Sequence, residues 1–279
     1  MPRCARSLLL LAGLAAGCDD RAVARDDPPA AEGARVACPG GHRLTSIAGA
    51  AADEAGQPLA GAHAQACLHT GDGAWLCLAP VTSDAGGRFR VEVPERFACV
   101  ARAAVRVAAD QGRPAVYCPV SGPPEIAFDR PFVLPALPPP TSLPPGDDGQ
   151  VRTATFDDGL AVSLSPAQLQ GGAAAYASLR AARLALDPRC VTDAVEGAYA
   201  FAPEVTATTP VAVTLPNVTA LPAGTEVEVL VQGGLACLPG ELDEGTLRAV
   251  GTATVSADGL HIATDAVLPC LGWLAYRRR

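Results

Sequence analysis

A proline-rich stretch, Pro135–Gly149, divides the chain and limits what it can fold into. Six prolines fall within its first eleven residues. Because proline lacks an amide donor and favours the extended polyproline II conformation, such a stretch does not continue a helix or the middle of a sheet. We therefore predict a semi-rigid linker over 135–149 that joins two folded domains, 36–134 and 150–279.

Turns and short strands dominate the sequence on both sides of this linker. The chain contains 28 glycines and 26 prolines in 279 residues, more than average but fewer than in disordered proteins. Turn sequences recur about every ten residues, which is typical of β-sandwiches. The clearest strand contains Phe89, Val91 and Val93 in alternation with polar residues, as in a strand with one buried and one solvent-exposed face. The pattern predicts an all-β fold of two β-sandwich domains.

The second domain is predicted to begin with a hairpin, residues 151–156 and 160–164, around an Asp-Asp-Gly turn. Ser165 to Leu186 is compatible with either a helix or a strand. Ser165-Pro166 is a typical helix start, so we favour a short helical turn there and a strand that ends near Asp187. Further strands are predicted at Tyr199–Ala202, Val211–Leu215, Glu226–Val231, Arg248–Val255 and Leu260–Thr264.

The charge balance argues against a nucleic-acid partner. All 21 basic residues are arginine, they are scattered, and 29 acidic residues give a net charge of −8. A surface that follows a phosphate backbone needs clustered positive charge.

The N-terminus has the pattern of an exported protein. Arg3 and Arg6 precede an apolar run, residues 8–17, which is too short to span a bilayer but fits a secretory signal peptide over 1–17. The run ends in Leu-Ala-Ala-Gly before Cys18, which resembles the lipobox of bacterial lipoproteins. That resemblance implies diglyceride and palmitate attached to Cys18, and a tether over 18–35. The alternative is plain signal cleavage, with Cys18 as an ordinary disulfide partner.

The first domain carries a recognisable spacing of turn residues. It reads G-x-x-x-D-x-x-G-Q-P-L-A-G-A from Gly49, then T-S-D-A-G-G-R-F-R-V from Thr82. This spacing resembles the carboxypeptidase regulatory-like domain. The resemblance implies a transthyretin-like β-sandwich of about seven strands, acting as an accessory or adhesive module without catalytic residues.

The second domain contains Y-A-F-A-P-E at Tyr199–Glu204 and P-V-A-V-T-L-P at Pro210–Pro216. These segments, with Ser165-Pro166-Ala167, resemble the β-sandwich domain shared by ankyrins and netrin receptors. The resemblance implies an immunoglobulin-like sandwich that serves interaction and mechanical linkage.

Eight cysteines remain after Cys4 in the signal peptide and Cys18 at the anchor are set aside. No C-x-x-C pair occurs, which favours disulfides in an oxidising compartment over a metal site. Five lie in the first domain and three in the second, so either one bridge crosses between domains or each domain keeps a free thiol. The predicted pairs are Cys67–Cys77, placed opposite each other by a hairpin, Cys99–Cys118, Cys237–Cys270 and, between domains, Cys38–Cys190.

The sequence offers no catalytic or metal-binding motif. It lacks a nucleophile elbow, a zinc-protease motif and a phosphate loop, and His42, His63, His69 and His261 are not at ligand spacing. The acidic pairs Glu226 with Glu228 and Asp243 with Glu244, and the terminal run Arg277–Arg279, are interpreted as solvated. We expect no metal, no cofactor and no catalytic residue.

Two tryptophans are candidates for ligand contact. Trp75 lies in the hairpin bounded by Cys67 and Cys77, and Trp273 lies near the C-terminus. Either indole offers a flat surface for a sugar or a peptide, although packing alone also explains such residues.

The sequence therefore predicts a non-enzymatic protein of the bacterial cell envelope, facing the periplasm or the cell surface. Its partners are expected to be the membrane, through the lipid, and an envelope protein or polysaccharide. One alternative is an accessory sugar- or peptide-binding subunit of a surface enzyme or transporter. The other is a hydrolase whose catalytic residues are dispersed along the chain and meet only in the fold.

Overall fold

Strands make up nearly all of the regular structure in the computed structural model. It describes residues 38–70, 75–110, 112–146, 149–237, 244–264 and 267–279. Helical structure in these residues is limited to two 3₁₀ turns, Glu95–Phe97 and Pro166–Gln168, and one short helix, α1 (Gly172–Ala177). The predicted all-β class is confirmed.

The strands of the first half, residues 38–134, are β1 (His42–Arg43), β2 (Ser46–Ala52), β3 (His63–His69), β4 (Trp75–Cys77), β5 (Val81–Thr82), β6 (Arg88–Glu92), β7 (Cys99–Val100), β8 (Arg102–Ala108), β9 (Val116–Val120), β10 (Glu125–Ala127) and β11 (Phe132–Val133). One sheet is centred on β2, which pairs with β6, β10 and β11. A second sheet has the order β4-β3-β8-β9, with β5 also on β3. The alternation predicted around Phe89 is confirmed, because Phe89 and Val91 are buried while Arg88 and Arg90 are exposed.

The strands of the second half, residues 150–279, are β12 (Arg152–Thr155), β13 (Ala161–Leu164), β14 (Arg180–Arg183), β15 (Gly197–Pro216), β16 (Glu226–Gln232), β17 (Leu247–Val255), β18 (His261–Ala263) and β19 (Leu268–Arg278). All eight belong to one sheet. Within it, β15, β18, β17, β16 and β19 pair in turn, and β19 pairs back with β15. The second half is therefore a closed ring of five strands, whereas the predicted sandwich has two separate sheets.

Some strands of this half differ from the prediction because they depend on pairing between residues that are distant in sequence. The two strands predicted at 199–202 and 211–215 are parts of one twenty-residue strand, β15. The final strand, β19, was not predicted, and it is buried along most of its length. Between Ser165 and Leu186, the helical turn at Pro166–Gln168 and the later strand β14 agree with the prediction, whereas α1 was not predicted.

The two halves belong to one compact unit, Cys38–Arg279. A shared core joins Ile47, Val105 and Phe132 of the first half to Ala200 and Trp273 of the second. We call this contact the seam. The proline-rich segment lies against both halves: the amide of Leu137 donates to Gly112 O, and Ser142 pairs with Thr155 on β12.

Four disulfides use all eight of the remaining cysteines. The predicted pairs Cys67–Cys77 and Cys237–Cys270 are confirmed. The predicted pairs Cys99–Cys118 and Cys38–Cys190 are wrong: the bonds are Cys38–Cys99 and Cys118–Cys190. The physical reason is that β1 pairs with β7, which brings Cys38 close to Cys99, and this pairing is not visible in the sequence. Of the two outcomes that the count of five and three cysteines left open, the structure has the bridge between the halves, Cys118–Cys190.

Candidate functional site

A groove of about 590 Å³ runs along the seam. Both halves contribute to its walls, and most of the lining is apolar. Its apolar lining includes Pro131, Val133, Leu184, Leu186, Val191 and Trp273.

Covalent and hydrogen bonds fix the two walls of the groove relative to each other. The Cys118–Cys190 disulfide joins β9 to the segment after β14. Trp273 on β19 donates its indole N–H to Ala115 O at 2.7 Å, across the seam. Because the polar atom of Trp273 is already bonded, what the ring offers the groove is apolar surface.

A half-buried ion pair supports one wall. The Arg189 guanidinium binds the Asp187 carboxylate at 2.5 Å and also donates to Arg130 O and Pro131 O. Burial opposes the ionisation of Asp187, but the hydrogen bonds and charge of Arg189 outweigh it and hold the pKa of Asp187 below its usual value. This pair ties the segment after β14 to the segment that leads into β11.

The rim of the groove also carries an exposed cation. Arg130 makes no ion pair within 4 Å in the described residues, although its charge contributes to the lowered pKa of Asp187. Glu54, which also lines the groove, is bound to Arg113 at 3.3 Å. The groove therefore presents an apolar surface beside an exposed arginine.

A buried polar cluster around Tyr117 forms a second part of the seam. The Tyr117 hydroxyl accepts from Arg106 Nε at 2.9 Å and from the amide of Leu235 at 3.0 Å, and it donates to Glu204 Oε2 at 3.0 Å. Arg106 also binds Glu204 at 3.0 Å. A tyrosine hydroxyl has one donor and two acceptor sites, so this hydroxyl is fully bonded.

The cluster shifts the ionisation of its members. Burial raises the pKa of Tyr117 well above its usual value, and the charge of Glu204 adds to the effect. Burial works against the charge of Arg106, but Tyr117 and Glu204 outweigh it, so the pKa of Arg106 is raised. A Cβ on Gly234 would lie 2.6 Å from the Tyr117 ring, so glycine is required for this close contact.

Glu244 lies near this cluster and carries a perturbed carboxyl group. Its side chain is only 6% exposed, and Oε2 has no hydrogen-bond partner in the described part of the chain. Burial, with a further contribution from the charge of Glu204, raises its pKa to about 7. The carboxyl lies within 4.8 Å of the sulfur atoms of Cys67 and Cys77. Because these sulfurs form a disulfide, they offer neither thiolate ligands to a metal nor a nucleophile to activate.

Of the two tryptophans predicted to contact a ligand, one lines the groove and the other does not. Trp273 lines the groove, whereas Trp75 is half-buried on β4 and packs edge-on against His69 at 5.3 Å. Cys18 lies outside the described residues. The interpretation of Glu244 as solvated is wrong, because residues distant in sequence bury it.

The C-terminal arginines form ion pairs, whereas the sequence predicted a solvated end. Arg277 binds Glu228 at 2.8 Å and Asp193 at 3.3 Å, and Arg278 binds Glu196 at 3.0 Å. Sequence reasoning found neither these pairs nor the Tyr117 cluster, since no local motif marks residues that meet through strand pairing.

Comparison with known proteins does not assign the chain to a family. No protein-family model matches the sequence, and no curated protein is significantly similar to it. Among the described residues, no helix has the length and apolar character needed to cross a membrane.

Proposed function

We propose that this protein is a non-enzymatic, lipid-anchored component of the bacterial cell envelope, which binds another envelope component in the groove along the seam. The groove is the observation that carries the proposal. It is concave and mostly apolar, the Cys118–Cys190 bridge joins its two walls, and an exposed arginine lies on its rim. Ligand sites in proteins commonly combine an apolar lining with a few polar groups in this way.

The proposed location in the cell envelope rests on the N-terminal sequence pattern and on the disulfides. Four bridges fit an oxidising compartment outside the cytoplasm. A diglyceride and a further acyl chain on Cys18 would hold the protein stably, because two or more chains anchor where one does not.

The division into two domains joined by a proline-rich linker is part of the proposal. The two larger sheets of the first half, centred on β2 and β3, both contribute to the shared core, which supports a transthyretin-like module there. The second half supports an interaction module of a different architecture, because its strands close into a ring.

Within the proposal, a peptide is a better ligand for the groove than a sugar. Sugars require several hydrogen-bonding side chains, whereas this lining is mostly apolar and the Trp273 indole N–H is already bonded. We assign no catalytic role to Glu244, because it is not among the residues that line the groove and its nearest sulfurs are oxidised.

Metabolic labelling tests the anchor. Cells that produce the wild-type protein should incorporate radioactive palmitate into it, and cells that produce Cys18→Ala should not. Equal labelling of the two proteins would contradict the lipid anchor.

Photo-crosslinking in living cells tests the groove. A photoreactive amino acid replaces Val133, which lines the groove and is 49% exposed, or Leu260, a control that is 62% exposed beside β18. Discrete adducts at position 133 and none at position 260 are expected. No adduct at 133, or the same adducts at both positions, would remove the groove as the binding site.

A further inference from the structure

Strand β14 leaves one edge open beside the groove. Within the described residues it pairs only with β15. The amide of Leu184 donates to Ala198 O at 3.1 Å, so the backbone groups of Leu184 face β15. Because successive residues of an antiparallel strand present these groups to opposite sides, those of Arg183 and Ala185 face away from β15.

Ala185 lies two residues beyond the end of β14, where the chain continues this edge. It is exposed, and neither its N–H nor its C=O has a hydrogen-bond partner in the described chain. A row of unpaired backbone donors and acceptors is a template for another strand.

Two cavities adjoin this edge. The groove contacts Leu184, Ala185 and Leu186. A second cavity, of about 610 Å³, contacts the same three residues and is also lined by Arg183 and Glu196. An added strand would point alternate side chains in opposite directions, and the two cavities offer space beside the edge to receive them.

The charges around the edge favour an acidic ligand. Arg130 at the groove and Arg183 at the second cavity are exposed, and neither makes an ion pair with a described residue. Four of the neighbouring acidic groups are bound to arginines, in the pairs Glu54–Arg113, Asp187–Arg189, Asp193–Arg277 and Glu196–Arg278. Asp129 lies next to Arg130 and is exposed, and the charge of Arg130 also acts on Asp187, so the charge of Arg130 is partly balanced. Arg183, at the second cavity, is the cation at this edge that would gain most from an acidic ligand.

We infer that the edge Arg183–Leu186 binds an extended acidic peptide segment of a partner protein as an added β-strand, with its apolar side chains in the groove. The inference rests on the proposed function, since it names the kind of ligand for the same groove. A second copy of this chain fits less well, because antiparallel pairing of two β14 edges would bring two Arg183 side chains together.

Titration calorimetry on the oxidised mature chain tests the inference with three synthetic peptides of about seven residues. One alternates valine with aspartate, the second alternates valine with lysine, and the third is the aspartate peptide N-methylated at alternate residues. The aspartate peptide should bind at least about tenfold more tightly than either of the others. Equal affinities, or no binding of the aspartate peptide at about 1 mM, would overturn the inference.

Variants of the chain add an independent test of the backbone contact. Ala185→Pro removes the outward N–H and should weaken binding of the aspartate peptide about tenfold or more, whereas Ala185→Ser should retain it. Arg183→Glu should shift the preference toward the lysine peptide. The melting temperature of each variant shows whether it is folded. In the wild-type protein, the peptide should slow hydrogen exchange at the Ala185 amide, a measurement that needs no variant.

The two proposals fail in different ways. Crosslinks at position 133 without any preference for the acidic or unmethylated peptide would refute strand addition and leave the groove as the binding site. Selective peptide binding without crosslinks at 133 in cells would support the edge and refute the groove as the site that is occupied in cells.

Discussion

The two regions of the seam use opposite chemistry. The Tyr117 hydroxyl accepts two hydrogen bonds and donates one, and the charges of Arg106 and Glu204 neutralise each other. At the groove, in contrast, the Arg130 guanidinium makes no ion pair and the backbone of Ala185 makes no hydrogen bond within the described residues. Fully bonded buried groups hold a structure together, whereas unsatisfied groups at a concave surface are available to a ligand. The first region should therefore control stability and the second should control binding.

The largest effect is expected from removing the covalent link of the seam. The double variant Cys118→Ala, Cys190→Ala opens a loop with a sequence separation of 72. From loop entropy, the free energy of unfolding should fall by about 4 kcal/mol, as measured by urea unfolding without reductant. The matched control, Cys67→Ala with Cys77→Ala, removes a bridge with a sequence separation of only 10. The free energy of unfolding should fall by less in this control. A larger loss in the control would contradict this ranking.

Breaking the Tyr117 cluster should have the next largest effect. Glu204→Ala leaves Arg106 mostly buried without its counter-charge, since these side chains are 10% and 19% exposed. We expect a loss of about 3 kcal/mol in the free energy of unfolding. The control Glu226→Ala removes a pair with exposed partners, Glu226 and Arg279, and should cost less than about 0.5 kcal/mol. Similar losses in the two variants would show that the cluster does not stabilise the seam.

The buried carboxyl of Glu244 makes stability depend on pH. Its pKa is about 7 in the folded protein and near 4.5 when solvated, so the folded state holds the proton more tightly. This contribution to stability is complete below about pH 4.5 and is lost as the pH rises through 7, by roughly 2–3 kcal/mol. Glu244→Gln should therefore be more stable than wild type at pH 8, and the advantage should shrink toward pH 4.5. Urea unfolding across this range measures the difference, and a difference independent of pH would contradict it.

The smallest effect on stability is expected at the groove. Arg130→Ala removes an exposed cation without an ion pair among the described residues, so the free energy of unfolding should change by less than about 0.5 kcal/mol. The same variant should weaken binding of the aspartate peptide. A loss of stability without a loss of binding would reverse the roles assigned to the two regions.

Local sequence pattern was sufficient for elements that depend on near neighbours. The alternation around Phe89 predicted β6, and the ten-residue separation of Cys67 and Cys77 predicted their hairpin and bridge. Ser165-Pro166 likewise predicted a helical turn, and the turn carries a capping box with Gln168. In each case the determining contacts lie within about ten residues, where the pattern is informative.

Closure of the ring and the candidate site were beyond sequence reasoning. The ring requires β19 to pair with the distant β15, and β19 shows no simple alternation because nearly all of its residues are buried. Glu244 gave no signal because its perturbation comes from desolvation, which depends on what packs over it. The open edge of β14 likewise becomes apparent only once its single partner strand is known.

The Cys38–Cys99 bridge has a mechanical consequence. With residues 18–35 as the tether, as the sequence predicts, a pulling force transmitted along the chain reaches the Cys38–Cys99 bridge before β1. The sulfur bond passes that force directly to Cys99, so the 61 residues of separation between the two carry little tension. The strands from β1 to β6 are thereby shielded from being peeled away one at a time. The bridge thus protects these strands from mechanical unfolding from the N-terminal side.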